Sequence, residues 1–294
     1  MQLFPVGDRE FWVKLWQDAR ENSPLTRRRC RSEKEMVENW SRRSSWFARR
    51  TGNNRGHARR KMVLDMLKRE GALGPEVKVL DIGAGPGNYA IPMARLCEQV
   101  TALEPAAGMV KILEERARAE QLKNITIIQK TWQEVDIEKD DLTGRFDLVF
   151  ASMTPGVRDP ETLQKMLAAS RKFCFLSAFS GRRWGRAHRE LWQQFFDEDM
   201  GDNSGDIIYP FGLLYAMGYR PNLKFFTTNR VEEEPVEKAV ENLAEFFWSY
   251  MDITPDIRRT IERYVKKHAE NGVFRQETTF CTGMMLWRVD EIFT

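Results

Sequence analysis

Three glycines at alternate positions, Gly83, Gly85 and Gly87, form the most informative motif of this 294-residue chain. They follow the apolar run VKVLDI and precede a helix-like stretch that begins at Tyr89. A loop without side chains lets backbone N–H groups approach a ligand closely, and the following helix N-terminus favours polar or anionic groups. The order strand, glycine loop, helix therefore predicts a site for a nucleoside-containing cofactor.

The spacing of these glycines narrows the class of cofactor. A dinucleotide fingerprint requires G-x-G-x-x-G. Here the third glycine would have to stand at Asn88, and Gly87 comes one residue early. The phosphate-binding string G-x-x-x-x-G-K-[ST] occurs nowhere in the sequence. The motif therefore argues against a dinucleotide pyrophosphate and against a nucleoside triphosphate.

An acidic residue stands where a ribose-binding carboxylate is expected. Glu104 ends the second apolar run, QVTALE. It follows the glycine loop by about twenty residues, the separation at which a carboxylate accepts both ribose hydroxyls. The simpler alternative is that Glu104-Pro105 only opens the next helix. The coupling to the glycine loop favours the ribose role.

Alternating strands and helices must position these residues. Short apolar runs without polar alternation are typical of buried parallel strands, and the sequence offers five: VKVLDIG, QVTALE, NITIIQK, RFDLVFAS and KFCFLSAF. Helical stretches separate them, and one of these begins with Asp159 as N-cap and Pro160 at the first helical position. This alternation predicts an α/β fold with a doubly wound, mostly parallel sheet covered on both faces.

Helical segments flank this region on both sides. Residues 1–70 contain three predicted helices, over 8–22, 33–50 and 56–70, which we interpret as an N-terminal cap or lid. Residues 71–294 are the predicted main domain, with a helical insertion at about 232–270. Aromatic side chains of the N-terminal helices and of the insertion could enclose an apolar or planar substrate, or could simply pack an extra helical layer. They are Trp40, Trp46, Trp248 and Tyr250.

Four segments taken together resemble the successive motifs of class I S-adenosylmethionine-dependent methyltransferases of the small-molecule type. They are VLDIGAGPGNYAIPMA, VTALEPAAGM, NITIIQKTWQEVD and FDLVFASM, within residues 75–180. The resemblance implies a seven-stranded Rossmann-like sheet whose last strand, FRQETTFCTGMMLWRV, is antiparallel. It also implies S-adenosylmethionine as cofactor and S-adenosylhomocysteine as product. No metal is predicted.

The resemblance also implies roles for individual residues. The Gly83–Gly87 loop would hold the methionine part of the cofactor, Glu104 the ribose, and Met109 would pack on the adenine. The predicted cofactor-binding residues are Asp81, Gly83, Ala84, Gly85, Gly87, Asn88, Glu104, Pro105, Met109, Thr131, Trp132, Ala151 and Ser152.

This sequence departs from many relatives in two places. Many carry an Asp after the third strand, where this chain has Thr131 and then Trp132, so adenine would be contacted by Trp132 stacking or by a backbone amide. The alternative for Trp132 is a core or rim aromatic. Enzymes that methylate nucleobase amines carry Asn/Asp-Pro-Pro-Tyr/Phe after the fourth strand. Here the string is Ala-Ser-Met-Thr-Pro, which disfavours base methylation and leaves Ser152 to line the pocket.

No catalytic residue is assigned, because the cofactor brings the electrophile and the protein mainly orients the two reactants. The histidines His57, His188 and His268 are the candidates for a base, although each is more simply a surface or structural residue. His188 is the best placed of them, after the fifth strand. Arg49, Arg50 and Arg55 are candidates for binding the cofactor carboxylate or an acidic substrate.

The composition of the chain indicates where in the cell the protein is located. No apolar run reaches the length of a membrane span, and the N-terminus lacks the pattern of a signal peptide. The four cysteines form no C-x-x-C pair, which argues against a zinc site and a disulfide framework and predicts a cytoplasmic protein.

The net charge is only +3, yet arginines are dense between Arg20 and Lys61. Such a run could contact nucleic acid or an acidic substrate, although a solvated helical face is the favoured interpretation. We therefore expect a methyltransferase acting on a small molecule. The alternatives are an RNA or protein methyltransferase that docks through the arginines, and a non-catalytic cofactor-binding module or nucleotide-binding regulator. No oligomeric state is predicted.

Overall fold

One sheet of seven strands in the order β3-β2-β1-β4-β5-β8-β6 organises the protein, and a two-residue strand, β7, pairs with β8. The computed structural model describes residues 6–293, apart from the side chains of residues 54 and 55. The strands are β1 (Lys78–Ile82), β2 (Gln99–Leu103), β3 (Ile125–Ile128), β4 (Phe146–Ser152), β5 (Ser170–Ser180), β6 (Asn222–Pro235), β7 (Ala269–Glu270) and β8 (Val273–Arg288).

The predicted α/β architecture is confirmed. Strands β1 to β5 pair in parallel, whereas β8 is antiparallel to both of its neighbours, β5 and β6. Strands β1, β2 and β4 are buried along almost their whole length. This burial on both faces explains why their sequences are continuous apolar runs rather than alternating ones.

Helices cover both faces of the sheet. They are α1 (Arg9–Glu21), α2 (Pro24–Arg27), α3 (Glu33–Arg42), α4 (Ser44–Thr51), α5 (Asn54–Arg69), α6 (Ala90–Ala94), α7 (Ala107–Ala119), α8 (Pro160–Ala169), α9 (Arg186–Phe196), α10 (Ile208–Ala216), α11 (Val236–Trp248) and α12 (Pro255–Lys267). Helix α8 begins as predicted, with the Asp159 side chain accepting from Thr162 N–H and Pro160 in the first turn. Across residues 6–293, no helix is both long enough and apolar enough to cross a membrane.

Two of the N-terminal helices belong to the layers that cover the sheet. Trp16 of α1 is buried in the same core as residues of α8 and α10, beneath one face. Leu67 of α5 is buried in the core beneath the other face, together with Met93 of α6 and Leu113 of α7. The main core therefore extends into the segment that precedes the first strand.

Helices α3 and α4 replace the single helix predicted over residues 33–50. The chain turns at Arg43, which both ends α3 and begins α4. The two helices contact α7, where Gly108 N–H donates to Ser41 Oγ at 2.7 Å. This bond satisfies a backbone donor in the first turn of α7 that has no partner within the helix itself.

The last two long strands extend beyond the rest of the sheet. Strand β5 ends at Ser180, opposite Cys281, but β6 and β8 stay paired over residues 228–235 and 273–280. This two-stranded ribbon passes the carboxyl ends of the parallel strands and carries α11 and α12 between its strands. The insertion predicted to begin at about residue 232 therefore begins its first helix only at Val236, because β6 continues to Pro235.

The inserted helices form a third hydrophobic core with α9. Trp192, Phe247 and Ile261 are fully buried in it, and Phe274 of the ribbon joins them. From here on, the term cap means α9, α11, α12 and the ribbon, and no longer the N-terminal residues 1–70. Its separate core gives the cap a stable shape over the carboxyl edge of the sheet.

We predict that Gly108→Ala destabilises the protein by about 1–3 kcal/mol, the usual range for overpacking. A Cβ at Gly108 would lie 2.3 Å from the carbonyl oxygen of Ser41, a backbone atom that cannot rotate away. Urea unfolding measures the change. The control is Gly74→Ala, whose Cβ would meet only a Val77 methyl at 3.8 Å. Equal unfolding free energies for the two variants would contradict the close docking of α3 on α7.

Candidate functional site

The predicted cofactor residues converge on the carboxyl edge of the sheet. In the register, Ile82 of β1 lies between Leu103 of β2 and Ala151 of β4. The next residues along these strands, Gly83, Glu104 and Ser152, therefore follow one another across three adjacent strands. Gly83 and Ala84 N–H both donate to the Leu103 carbonyl, which ties the glycine loop to the end of β2.

The three glycines of the loop are required for different reasons, although all have positive φ. A Cβ at Gly83 would lie 2.1 Å from Thr154 Oγ1, and one at Gly87 would lie 2.5 Å from a Leu113 methyl. These two positions therefore require glycine because side chains of the protein itself pack against them. A Cβ at Gly85 would meet only Phe47 Cε1, at 3.9 Å. Gly85 is thus the position at which the loop leaves room for a ligand.

Glu104 is held against the loop by two backbone donors. Its Oε2 accepts from Gly85 N–H at 2.8 Å, and its Oε1 accepts from Ala106 N–H at 2.9 Å. The residue is only 7% exposed, and burial raises the pKa of its carboxyl. Because an ionised carboxylate offers about four acceptor positions, each oxygen can accept one more donor, such as a ribose hydroxyl.

Asp81 lies beneath the loop in β1 and is almost fully buried. Burial, and after it the nearby charge of Glu104, raise the pKa of Asp81 to about 8, while a hydrogen bond from Ala90 N–H opposes the rise. Asp81 is therefore mostly protonated at neutral pH. The site thereby avoids two buried negative charges side by side.

The remaining predicted residues near the loop have structural partners. Asn88 Nδ2 donates to Thr51 Oγ1 of α4 at 3.0 Å, and Arg116 donates to the Asn88 side-chain oxygen and to the Pro86 carbonyl. Met109 is buried in α7, and Ala84 and Ala151 are buried in the sheet core and its adjoining loop. Pro105 is half-buried at the end of β2.

Trp132, for which stacking on adenine and a core or rim position were the alternatives, lies in the core. Trp132 is 2% exposed, its Nε1–H donates to the Thr162 carbonyl at 3.0 Å, and the Lys165 ammonium lies over its ring. A ring enclosed in this way has no free face. The Thr131 hydroxyl and N–H both bond to the Glu134 carboxylate, so this side chain serves a local turn.

A polar cluster beside the loop was not predicted as a unit. Ser152 Oγ lies 3.0 Å from Ser177 Oγ on the neighbouring strand β5, and Arg59 of α5 donates to Ser177 Oγ at 3.2 Å. The next residue, Met153, has a φ of 54°, an uncommon conformation for a residue with a side chain. Arg59 was only one of many arginines in the sequence, and no local pattern distinguishes it.

Phe47 is the second residue that sequence reasoning missed. It lies on α4, contacts Trp40 edge to face, and approaches the open side of Gly85. Helix α4 therefore lies beside the glycine loop. In the sequence, Phe47 is one of several aromatic residues at helical spacing, and nothing in that pattern distinguishes it from a residue that only packs in a core.

The candidate bases lie elsewhere. His188 packs between Trp184 and Phe246 in the cap, where burial, and after it the charge of Arg183, lower its pKa to about 4. The ring of His268 lies at the end of α12, with Nδ1 2.9 Å from the Tyr264 carbonyl oxygen, and His57 is exposed on α5. In the described part of the chain, no group of three His, Cys, Asp or Glu side chains could hold a metal ion.

Of the three arginines suggested for a carboxylate ligand, Arg50 instead pairs with Glu232 of the ribbon at 2.9 Å. Arg49 is exposed on α4. The side chain of Arg55 lies outside the described residues. The suggested role of these arginines therefore has no support from the contacts of Arg50.

Comparison with known proteins agrees with this geometry. A family described as a methyltransferase domain matches residues 79–174. An uncharacterised protein of Haemophilus influenzae is 31% identical over 151 residues, which are 51% of this chain and 53% of that protein. A mitochondrial ribosomal RNA small subunit methyltransferase of Arabidopsis thaliana is 32% identical over 112 residues, 38% of this chain and 28% of that protein. The matches therefore span about half of the first relative and less of the second.

Among solved structures, the magnesium protoporphyrin IX methyltransferase of Synechocystis with bound S-adenosylhomocysteine has the same fold. Its TM-score is 0.51 at 16% identity, over 67% of this chain and 93% of that one. Strand order, glycine loop and family match coincide on the same residues. Residues 79–174 thus match a methyltransferase domain, and the chain has the fold of that solved methyltransferase.

Proposed function

We propose that this protein transfers a methyl group from S-adenosylmethionine to a small-molecule acceptor. One observation carries the proposal: Gly85 is open toward a ligand, and its own N–H is bonded to the buried carboxylate of Glu104. Backbone donors and an ionisable carboxylate thus stand together at the end of two parallel strands. That combination suits a ligand with a ribose and an amino-acid portion.

The cofactor is proposed to lie along the edge formed by β1 and β2. Gly83 to Gly87 would contact its methionine part, Glu104 its ribose hydroxyls, and Met109 with Pro105 its adenine. Since Thr131 and Trp132 are occupied by other contacts, the backbone after β3 is the better partner for the adenine amino group. When bound, the cofactor supplies an electrophilic methyl group, and this chain's residues bind it, orient it and exclude water.

The acceptor is proposed to lie on the other side of the loop, over β4 and β5. An in-line displacement requires the acceptor to approach the methyl group from the side opposite the sulfur. Ser152, Ser177 and Arg59 line this side of the edge. Their hydroxyls and guanidinium can hold a polar group of a small molecule, while the cap limits access from solvent.

The arginine-rich N-terminal segment supports a small acceptor over an RNA. Six of its guanidiniums are paired with carboxylates of the main domain and the cap. The pairs are Arg20 with Asp159, Arg27 and Arg28 with Glu198, Arg31 with Asp252, Arg43 with Glu245, and Arg50 with Glu232. Guanidiniums neutralised in this way are poor partners for backbone phosphates, whose binding depends on unpaired positive charge.

Two alternatives remain for the experiments below. The similarity to a ribosomal RNA methyltransferase favours RNA as the acceptor, although it covers only 28% of that protein. A cofactor-binding module without transfer activity would also use Gly85 and Glu104. A cytoplasmic location is part of the proposal, and the four free cysteines fit a reducing compartment.

Transfer of a labelled methyl group tests the acceptor class. The purified protein is incubated with labelled S-adenosylmethionine and, separately, with the small-molecule, RNA and protein fractions of a cell lysate. We expect label in the small-molecule fraction, insensitive to ribonuclease and protease. Label confined to RNA would establish the first alternative, and no label in any fraction would favour the non-catalytic one.

A change at Gly85 tests the position of the cofactor. We expect Gly85→Ala to lower S-adenosylhomocysteine affinity about tenfold or more, since the new methyl group occupies the open side of the loop. Gly144→Ala is a matched control, because Gly144 has the same φ of 56° and nothing within 4 Å of a Cβ. Both variants should lose about 1–2 kcal/mol of stability from backbone strain. Equal calorimetric affinities for the two would refute the assignment of the loop.

The Glu104 carboxylate gives a second test, with a defined pH dependence. Glu104→Gln should weaken S-adenosylhomocysteine binding by about 1.5–3 kcal/mol, the range for hydrogen bonds to a charged group. Because burial raises the pKa of Glu104, this group is protonated at a higher pH than an exposed glutamate. Wild-type affinity should therefore fall as the pH is lowered from about 7 toward the ordinary glutamate pKa of about 4.3, whereas the affinity of the variant should change less.

Calorimetry across this pH range provides the comparison. The control is Glu98→Gln, because Glu98 is exposed and lies just before β2, whereas Glu104 lies just after it. The affinity of this variant should match that of wild type at each pH. Parallel pH profiles for wild type and Glu104→Gln would show that this carboxylate does not hold the ligand.

A further inference from the structure

A groove separate from the glycine loop lies between the α3–α4 segment and the cap helices α11 and α12. Its volume is about 480 Å³. Side chains of Arg42, Arg43 and Trp46 form one wall, and Trp248 of α11 and Arg258 of α12 stand in the other. The size suits a small organic ligand.

Guanidiniums lie over both tryptophan rings of this groove, and two of them, Arg42 and Arg43, line the groove itself. Arg43 and Arg50 both lie over the Trp46 ring, 4.4 and 4.9 Å from its centroid. Arg31 and Arg42 lie 5.0 and 6.0 Å from the centroid of Trp248. Packing on the rings restricts Arg42 and Arg43, which lowers the entropy lost when a ligand binds them.

Positive charge in the groove is only partly neutralised. The lining contains four cations against two carboxylates, Glu241 and Glu245. Glu241 is bound by Lys238 at 2.9 Å. Glu245 accepts from Asn39 at 2.6 Å and lies 3.7 Å from Arg43.

The two other cations form no ion pair within 4.0 Å among the described residues, although the charges of Glu241 and Glu262 act on Arg258 from a greater distance. For Arg42 and Arg258, no carboxylate oxygen of the described residues lies within 4.0 Å, and Arg42 donates only to the Asn39 side-chain oxygen, at 3.3 Å. Arg43 is half-buried, and burial, with the charge of Arg50 as a further cause, lowers its pKa. An anion placed here would relieve this concentration of positive charge.

We propose that this groove binds a small planar anion, an aromatic ring carrying a carboxylate. The carboxylate would be held by the planar, multiple donors of Arg42 and Arg258, and the ring would pack beside Trp46 and Trp248. Helix α4 separates this site from the cofactor loop, since it turns Phe47 toward Gly85 and Trp46 toward the groove. The proposal therefore goes beyond methyl transfer and does not depend on it.

Calorimetry without any cofactor tests the proposal, so its failure is distinct from failure of the proposed function. The probe is 2-naphthoate, and 2-naphthamide is the uncharged molecule of nearly the same shape. We expect saturable binding of 2-naphthoate to the full chain, at least tenfold tighter than binding of the amide. No binding of 2-naphthoate, or equal binding of both probes, would overturn the proposal.

Substitutions locate the binding. The double variant Arg42→Gln and Arg258→Gln should lower 2-naphthoate affinity at least tenfold and leave the amide unaffected, whereas Trp248→Leu should weaken both. Arg145→Gln, an exposed arginine outside the groove, is the control and should bind as wild type. Thermal unfolding of each variant verifies that it is folded. An unchanged affinity in the folded double variant would exclude this groove as the site.

Discussion

The buried carboxylate of Glu104, held by the N–H groups of Gly85 and Ala106, is the interaction on which the rest of the site depends. It joins the loop after β1 to the first turn after β2, so two strand ends act as one surface. The arrangement requires backbone donors close to the carboxylate, which in turn requires a loop without side chains at Gly85. It also requires that Asp81, directly below, be mostly protonated, since a second buried charge would repel the first.

The glycines of the loop illustrate how one motif satisfies several constraints. Thr154, just after β4, packs against Gly83, and Leu113 of α7 packs against Gly87. Both glycines are therefore required by the packing of the protein itself. At Gly85 a Cβ would meet only Phe47, at the van der Waals distance of 3.9 Å, so packing within the protein does not require a glycine there. A glycine-rich motif is therefore partly a packing requirement and partly a ligand requirement, and the two are distinguished by what lies next to each missing side chain.

The arginines of the N-terminal helices form ion pairs that join these helices to the rest of the protein. Six of them are paired with carboxylates from distant parts of the chain, and several lie over tryptophan rings. Exposed pairs of this kind contribute little each, roughly 0–1 kcal/mol, but together they set the position of α2, α3 and α4 against the cap. Helix α4 is consequently shared between two sites, with Phe47 on the cofactor loop and Trp46 in the groove.

The sequence by itself determined the sheet, the glycine loop, the position of Glu104 and the capped start of α8, because each depends on residues close together in the chain. Strand periodicity, positive φ at glycine and an Asp-Pro helix start are local preferences. Only the tertiary structure decided that Trp132 is a core residue, that Arg59 reaches Ser177, and that Phe47 lies beside Gly85. It also decided that β6 and β8 extend as a ribbon to Pro235 and Val273. These features depend on contacts between residues far apart in sequence, and no spacing along the chain specifies which distant partner a buried ring or a guanidinium meets.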